Sequence, residues 1–251
     1  MRLAVLSDIH GNLEALKAVL ADLGTAGGAD HLWVLGDLAA FGPEPSACIQ
    51  TVRELKEAKV IQGNTDRYLS TGVRPRTPQF TEENWPSAAS KTRERDAMFT
   101  WTLERLTWED MKYLQELGTD LALEVDDFGW VVGFHAIPGD DEAILLPDTP
   151  EHEICDALLD REGSLAVGGH THQAMDRVVS GGWRMVNPGS IGFPFDGDPR
   201  AAYAILTFDS GKVQVDLRRV NYDVERVIEK LAEGDFPALD LMARRLRDAQ
   251  Q

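Results

Sequence analysis

The apolar positions of this chain change their period along its length, and the changes predict an architecture. Leu3–Leu6 is a short unbroken aliphatic run ending at Ser7, the pattern of a strand buried on both faces of a parallel sheet. Directly afterwards Leu13, Leu16, Val19, Leu20 and Leu23 fall on one side of a helix that Asn12 can cap and Gly24 can end. The unit recurs. A strand over His31–Leu35 closes on Gly36-Asp37, a helix follows with Pro45 in its first turn and Ile49, Val52 and Leu55 inward, and a strand at Val60-Ile61 closes on Gly63-Asn64. Three successive βα units predict a right-handed parallel sheet.

Between residues 67 and 120 the alternation is lost. Proline-rich turns from Arg74 to Pro78 lead into a helical stretch containing Trp85, Trp101 and Trp108. This predicts a helical insertion beside the functional region, a wall or cap, with the tryptophans as packing residues rather than substrate platforms. The period then shortens to that of hairpins. Leu121–Val125 and Trp130–Phe134 flank Asp126-Asp127-Phe128-Gly129, and Ala174–Val179 and Trp183–Val186 flank Ser180-Gly181-Gly182. Ala202–Phe208 and Val213–Val220 flank Asp209-Ser210-Gly211-Lys212, and Leu165–Val167 is a separate strand before Gly168-Gly169-His170. His152 opens a further helix, and helices over 223–233 and 237–249 close the chain. A parallel half and a hairpin half predict an α/β (α+β) fold of two packed sheets with helices outside, in a single domain over 1–251.

Composition narrows the function. The 251 residues include 42 acidic and 25 basic side chains, a formal charge of −17, which disfavours a nucleic-acid groove. Leu3–Leu6 is too short for a signal-peptide core or a membrane span, so a soluble cytoplasmic chain is expected. Cys48 and Cys155 lie inside predicted helices away from every motif and read as structural thiols.

Five short motifs carry the candidate chemistry: Asp8-Ile9-His10, Gly36-Asp37, Gly63-Asn64, His135, and Gly169-His170-Thr171-His172. Each places an oxygen or nitrogen ligand where a predicted strand ends, and functional groups of parallel sheets collect outside the carboxyl ends of strands. Asp8, Asp37 and Asn64 can therefore converge although about 28 residues separate each from the next. Mixed oxygen and nitrogen donors without sulfur suit Mn²⁺, Fe or Zn²⁺ rather than Ca²⁺. Two such ions roughly 3.5–4 Å apart lower the pKa of a bridging water and clamp the oxygens of an in-line displacement, which fits phosphoryl chemistry.

On the stretches SDIHGNLEAL, LGDLAAFGPEP, QGNTD, GFH, VGGHTH and NPGSIG, with DGDPRAAYAIL also fitting, the chain resembles the calcineurin-like metallophosphoesterase superfamily. The likeness is to its single-domain bacterial and archaeal phosphoesterases, and it runs from residue 7 to about 206. It implies a four-layer αββα sandwich of two mixed β-sheets flanked by helices. It also implies two divalent metal ions: manganese first, with iron, zinc or nickel as alternatives. Asp8, His10 and His172 would hold one and Asn64, His135 and His170 the other. Asp37 would bridge them, and a metal-activated hydroxide would attack phosphorus. Asp37, Asn64 and His135 are thus the expected catalytic positions.

The chain departs from the family pattern twice. Thr65 stands where many members have a histidine thought to protonate the leaving group, and a threonine hydroxyl is no general acid near neutral pH. His135-Ala136-Ile137-Pro138 replaces the usual His-Gly-Ser-Pro. Outside the ligands, Asn12 is a helix cap close enough to the cluster to contact phosphate as well. Arg67 stays open between a phosphate contact and an ion pair. Asp66 orients a neighbour or holds a turn, Asn187-Pro188-Gly189-Ser190 is a turn under the site, and Arg200 is an ion-pair partner.

The expected substrate is small and phosphorylated, nucleotide-derived in one version, with diesters ahead of monoesters because a good leaving group suffers least from Thr65. A dinucleoside-polyphosphate or protein phosphatase shares the motif order. A scaffold with an impaired site is the non-enzymatic alternative.

Overall fold

The computed structural model describes residues 1–77 and 79–250. The chain runs β1 (Arg2–Leu6), α1 (Leu13–Thr25), β2 (His31–Val34), α2 (Pro45–Glu54), β3 (Ala58–Val60), α3 (Asn64–Thr71), α4 (Trp85–Leu103) and α5 (Trp108–Glu116). It continues with β4 (Asp120–Val125), β5 (Gly129–Phe134), α6 (Glu151–Leu158), β6 (Leu165–Val167), β7 (Met175–Val178) and β8 (Arg184–Asn187). β9 (Ala201–Asp209), β10 (Lys212–Val220), α7 (Val224–Glu233) and α8 (Leu239–Asp248) complete it.

The strands form two mixed sheets of five, ordered β10-β9-β1-β2-β3 and β4-β5-β6-β8-β7. In the first, β1 pairs parallel with β2 and antiparallel with β9. In the second, β6 pairs parallel with both β5 and β8. The aliphatic run of β1 works on both faces, as its lack of alternation requires. Leu3 and Val5 point between the sheets, where they meet Trp33, Val131, Val167 and Leu206. Ala4 and Leu6 point outward under α1 and α2, against Leu16, Val19 and Ile49. On the far side α6 covers the second sheet through Ile154 and Leu158. The layers are therefore helix, sheet, sheet, helix, the expected sandwich.

This packing brings the carboxyl ends of β1, β2 and β3 in one sheet to the same rim as those of β5 and β6 in the other. The hairpins expected near 126–129, 180–182 and 209–212 are present. α1 begins where Asn12 caps it, accepting from the Ala15 N–H. Among the described residues, no helix is long and apolar enough to cross a membrane. Both cysteines are free thiols, Cys48 buried and Cys155 partly so.

The region from 67 to 120 holds the rest of α3, then α4 and α5; Pro78, at the end of the expected proline-rich turn, lies outside the described residues. Trp101 packs as expected, its indole N–H donating to the Gly234 carbonyl. Trp85 and Trp108 do not: they are 53% and 69% exposed. Each sits at the first position of its helix, where the side chain leaves the packed face.

The two sheets meet closely at Gly133, where an added Cβ would stand 2.6 Å from the Trp33 ring. Gly133→Val is expected to cost about 1–3 kcal/mol through overpacking. The thermal unfolding midpoint should then fall by several degrees in a chain of this size. An unchanged midpoint would show that the sheets separate freely there.

Candidate metal centre

Three of the five motifs turn sharply as their strands end. Asp8, His10, Asp37, His170 and His172 all adopt positive φ, between 51° and 66°. Non-glycine residues avoid this region at a cost of about 1–3 kcal/mol each and hold it only where the surroundings over-determine it. Here the loops brace one another. The Asp8 N–H donates to the Gly36 carbonyl, His10 N–H to Asp37 O at 2.8 Å and Gly11 N–H to Leu38 O at 2.9 Å. Gly36 is required by contact, since a Cβ there would collide with the Gly63 backbone of the neighbouring loop. From below, Ser190 Oγ donates to Asp8 O and accepts from Phe193 N–H, each at 2.8 Å, and Asn187 Nδ2 donates to Gly169 O at 2.7 Å. The Asn187–Ser190 turn is thus the structural support expected of it.

All seven expected ligand residues arrive together. In one group, His172 Nε2 lies 3.3 Å and His10 Nε2 4.0 Å from Asp8 Oδ1, while the two Nε2 atoms are 3.1 Å apart. In the other, Asn64 Oδ1 lies 3.0 Å from His135 Nε2 and 3.2 Å from His170 Nδ1. Asp37 stands between them. Its Oδ1 accepts from the Thr65 N–H, and its Oδ2 is 3.5 Å from His10 Nε2 and 3.6 Å from His135 Nε2.

The protonation pattern shows what is required at the centre. Backbone carbonyls face the Nδ1 atoms of three rings: Ala40 O for His10, Leu35 O for His135 and Phe193 O for His172. A carbonyl only accepts, so each Nδ1 carries the proton and each Nε2 presents a lone pair inward, the arrangement that orients histidine for a metal. Two lone pairs then face each other between His10 and His172, and Asp8 Oδ1 is buried without a hydrogen-bond partner. A cation resolves both conflicts. Ligand atoms of Asp8, His10, Asp37 and His172 lie within 4.8 Å of one another and could hold a metal ion.

The ionisation tendencies agree. Burial alone would raise the Asp8 carboxyl, but His172, His135 and His10 outweigh it and hold the pKa well below the usual range. Burial pushes His10 down to about 4 and lowers His170, with His135 adding to the effect on the latter. Burial also opposes charge on His135, yet Asp37 and Asp8, with the Leu35 carbonyl, overcome it and raise its pKa. Asp66 accepts from the Leu38 and Gly63 N–H groups, holding two ligand loops; burial and then Asp37 push it up to about 7.

The two candidate substrate contacts have protein partners. Asn12 is fully buried: its Oδ1 caps α1 and its Nδ2 donates to Gly192 O. Arg67 is held by both oxygens of Asp141, at 2.6 and 2.8 Å, and by Glu142 at 2.6 Å. Arg200 pairs with Asp198 as expected.

The cleft over the cluster encloses about 190 Å³. Its walls include Phe41, Phe193, Phe195 and, from α8, Met242 and Arg245; Thr65 also lines it. α8 supplies one wall of the cleft, while α4, from the 67–120 stretch, lines an adjoining groove. Sequence reasoning missed these walls. One signal was available: Arg245 shares a helical face with buried Met242 and Leu246, an unusual place for a cation.

The described geometry has relatives. The model of the calcineurin-like phosphoesterase superfamily domain matches residues 1–211. An uncharacterized protein of Methanocaldococcus jannaschii is 30% identical over 252 residues, 94% of this chain and 93% of that one. A crystal structure of a metallophosphoesterase from Sphaerobacter thermophilus superposes with a TM-score of 0.76 at 27% identity, covering 99% of both chains. A symmetrical bis(5'-nucleosyl)-tetraphosphatase of Pectobacterium carotovorum is 39% identical over 66 residues, 26% of this chain and 24% of its own.

Ser190 is fully buried, and its hydroxyl joins the Asp8 loop to the Phe193 loop. Ser190→Ala leaves the buried Phe193 N–H without a partner, while Asp8 O keeps the Gly192 N–H, and is expected to lower stability by about 1–3 kcal/mol. Urea denaturation measures this; a loss below a few tenths of a kcal/mol would mean that the loops hold without it.

Proposed function

The chain belongs to the calcineurin-like phosphoesterase superfamily, and from that premise we propose that it is a dinuclear metal-dependent phosphodiesterase. The observation that carries the reading is the convergence of inward lone pairs from both sheets on the two sides of Asp37 Oδ2. Asp8, His10 and His172 hold one divalent ion in this reading, Asn64, His135 and His170 the other, and Asp37 is shared. Mn²⁺ is the proposed metal, since the donors are oxygen and nitrogen throughout. Bound metal would supply a water of lowered pKa and neutralise phosphoryl charge.

The chain's own residues do the positioning. The carbonyls of Ala40, Leu35 and Phe193 fix the imidazole tautomers, and the Thr65 N–H fixes the rotation of the Asp37 carboxylate. The aromatic wall excludes water from one side of the cleft. Thr65 lines the cleft with a buried hydroxyl that has no hydrogen-bond partner, so a group that can donate but not protonate faces the substrate. This favours esters with good leaving groups. A second reading, cleavage of a nucleotide-derived anhydride, is favoured by the phenylalanine rings around the cleft, which suit a base. We further propose that 1–251 act as one domain.

Metal-stripped protein given Mn²⁺ is expected to cleave bis(p-nitrophenyl) phosphate faster than p-nitrophenyl phosphate, and Asp37→Ala to abolish both. Mn²⁺ at a hundred times its Kd should also stabilise the wild type by about 2.7 kcal/mol in thermal unfolding. Turnover that survives Asp37→Ala would overturn the shared-carboxylate assignment. Thr65→His should accelerate esters of poor leaving groups by about 10²-fold or more while changing activated esters little. Equal effects on both would remove Thr65 from the leaving-group side.

A further inference from the structure

In a chain of net charge −17, the arginines of the surface are largely neutralised by carboxylates: Arg67, Arg184, Arg218 and Arg247 each hold one at 2.6–2.8 Å. Arg245 is different. Among the described residues no carboxylate lies within 4 Å of it, and its Nε is buried without a hydrogen-bond partner. Burial lowers its pKa from the ordinary value, with Glu94 opposing and Arg244 assisting. Its guanidinium stands 5.9 Å from the centre of the Phe195 ring, which in turn stacks on His172 at 4.5 Å.

The surroundings of Arg245 are as distinctive as its lack of partners. It lines the metal cleft, and with Phe41 it also lines a groove of about 810 Å³ between α4 and α8. The two cavities meet at these two side chains. Along the groove the charged residues are Lys91, Arg95 and Arg245 against Glu94 alone, although Arg95 is paired with Asp96. The lining of this groove thus carries an excess of cations in an otherwise acidic protein, which favours an anion there. Apolar patches from Met98 and Leu241 accompany the cations.

We propose that Arg245 binds the phosphoryl group adjacent to the one held at the cluster, and that the groove between α4 and α8 takes the remainder of the substrate. The substrate class is then a nucleoside polyphosphate or a similar phosphoanhydride. The inference rests on the metal-centre reading above and takes its second version, anhydride cleavage, over the diester one. A guanidinium suits the task because its planar fork engages two non-bridging oxygens at once, and an unpartnered buried donor offers that fork without first breaking an ion pair. The Phe195 ring, 5.9 Å from the guanidinium, holds it in place by aromatic contact.

The test is calorimetric titration of the full chain, in excess Mn²⁺, with inorganic phosphate and with α,β-methylene-ADP, for the wild type, Arg245→Gln and Arg245→Lys. Melting temperatures and Mn²⁺ binding are recorded alongside. Arg245→Gln is expected to bind Mn²⁺ and phosphate as the wild type does, and to lose about 10- to 100-fold in affinity for the ADP analogue. Arg245→Lys should lie between, since it keeps the charge without the fork. Equal loss for phosphate and analogue would place Arg245 at the metal-bound phosphoryl group and overturn the proposal. So would no loss for either, with the metal-centre reading intact. A wild type that binds no Mn²⁺ would remove that reading and this inference together. Arg245→Lys keeps the question decidable if the glutamine variant melts early.

Discussion

Lone pairs of three imidazoles, an amide and two carboxylates point into one buried space, and the chain's own protons do not reconcile them. Backbone carbonyls impose the inward direction on His10, His135 and His172, and the Thr65 N–H fixes Asp37. This is an electrostatic demand for positive charge, built before any ligand arrives. It raises His135 against the effect of its own burial, and it leaves Asp8 Oδ1 buried without a hydrogen-bond partner. Ordinary folding selects against such an arrangement, because unpaired buried acceptors are costly. It survives because the loops carrying the groups are tied at both ends.

Those ties explain the strained backbone. Five ligand residues sit at positive φ, and each lies in a loop stitched to a neighbouring loop rather than to its own strand. Parallel order in both sheets is the precondition. It points β1, β2 and β3 toward one rim, and it points β5 and β6 of the second sheet to the same rim. A sheet of hairpins alone would send alternate strand ends to opposite sides. The interior packing of Leu3, Val5, Trp33, Val131 and Val167 then holds the two rims in register.

Much of this was legible because a ligand side chain in the turn directly after an aliphatic strand is delivered to the rim by the strand itself. Asp8, His10, Asp37, Asn64, His135, His170 and His172 reach the centre through local geometry, namely the strand end and the turn after it. Asn12 and Arg67, left between two roles by the sequence, are engaged elsewhere for a reason that is equally physical. A polar residue near a site in sequence can satisfy a nearer partner, a helix N-terminus for Asn12 and the Asp141 and Glu142 carboxylates for Arg67. Trp85 and Trp108 misled because residue type alone does not say which side of a helix start a side chain leaves. Phe41, Phe195, Met242 and Arg245 were missed because hydrophobic period reports that a helix is covered, not what it covers.

The missed residues are tied to the legible ones through a single position. Phe193 O accepts from His172 Nδ1, so it sets the tautomer of a ligand ring. Its side chain lies in the cluster of Met98, Trp101, Val227, Met242 and Leu246 that joins α4, α7 and α8. The next loop segment is tied as well: Phe195 N–H donates to His172 O, and Gly197 N–H donates to Ala249 O at the end of α8. A displacement of α8 therefore moves the wall carrying Arg245 and strains the ring of His172 together. The α8 wall and the geometry of the histidine–carboxylate cluster are mechanically linked in this chain, although one comes from a helix pair far away in sequence and the other from strand-end motifs.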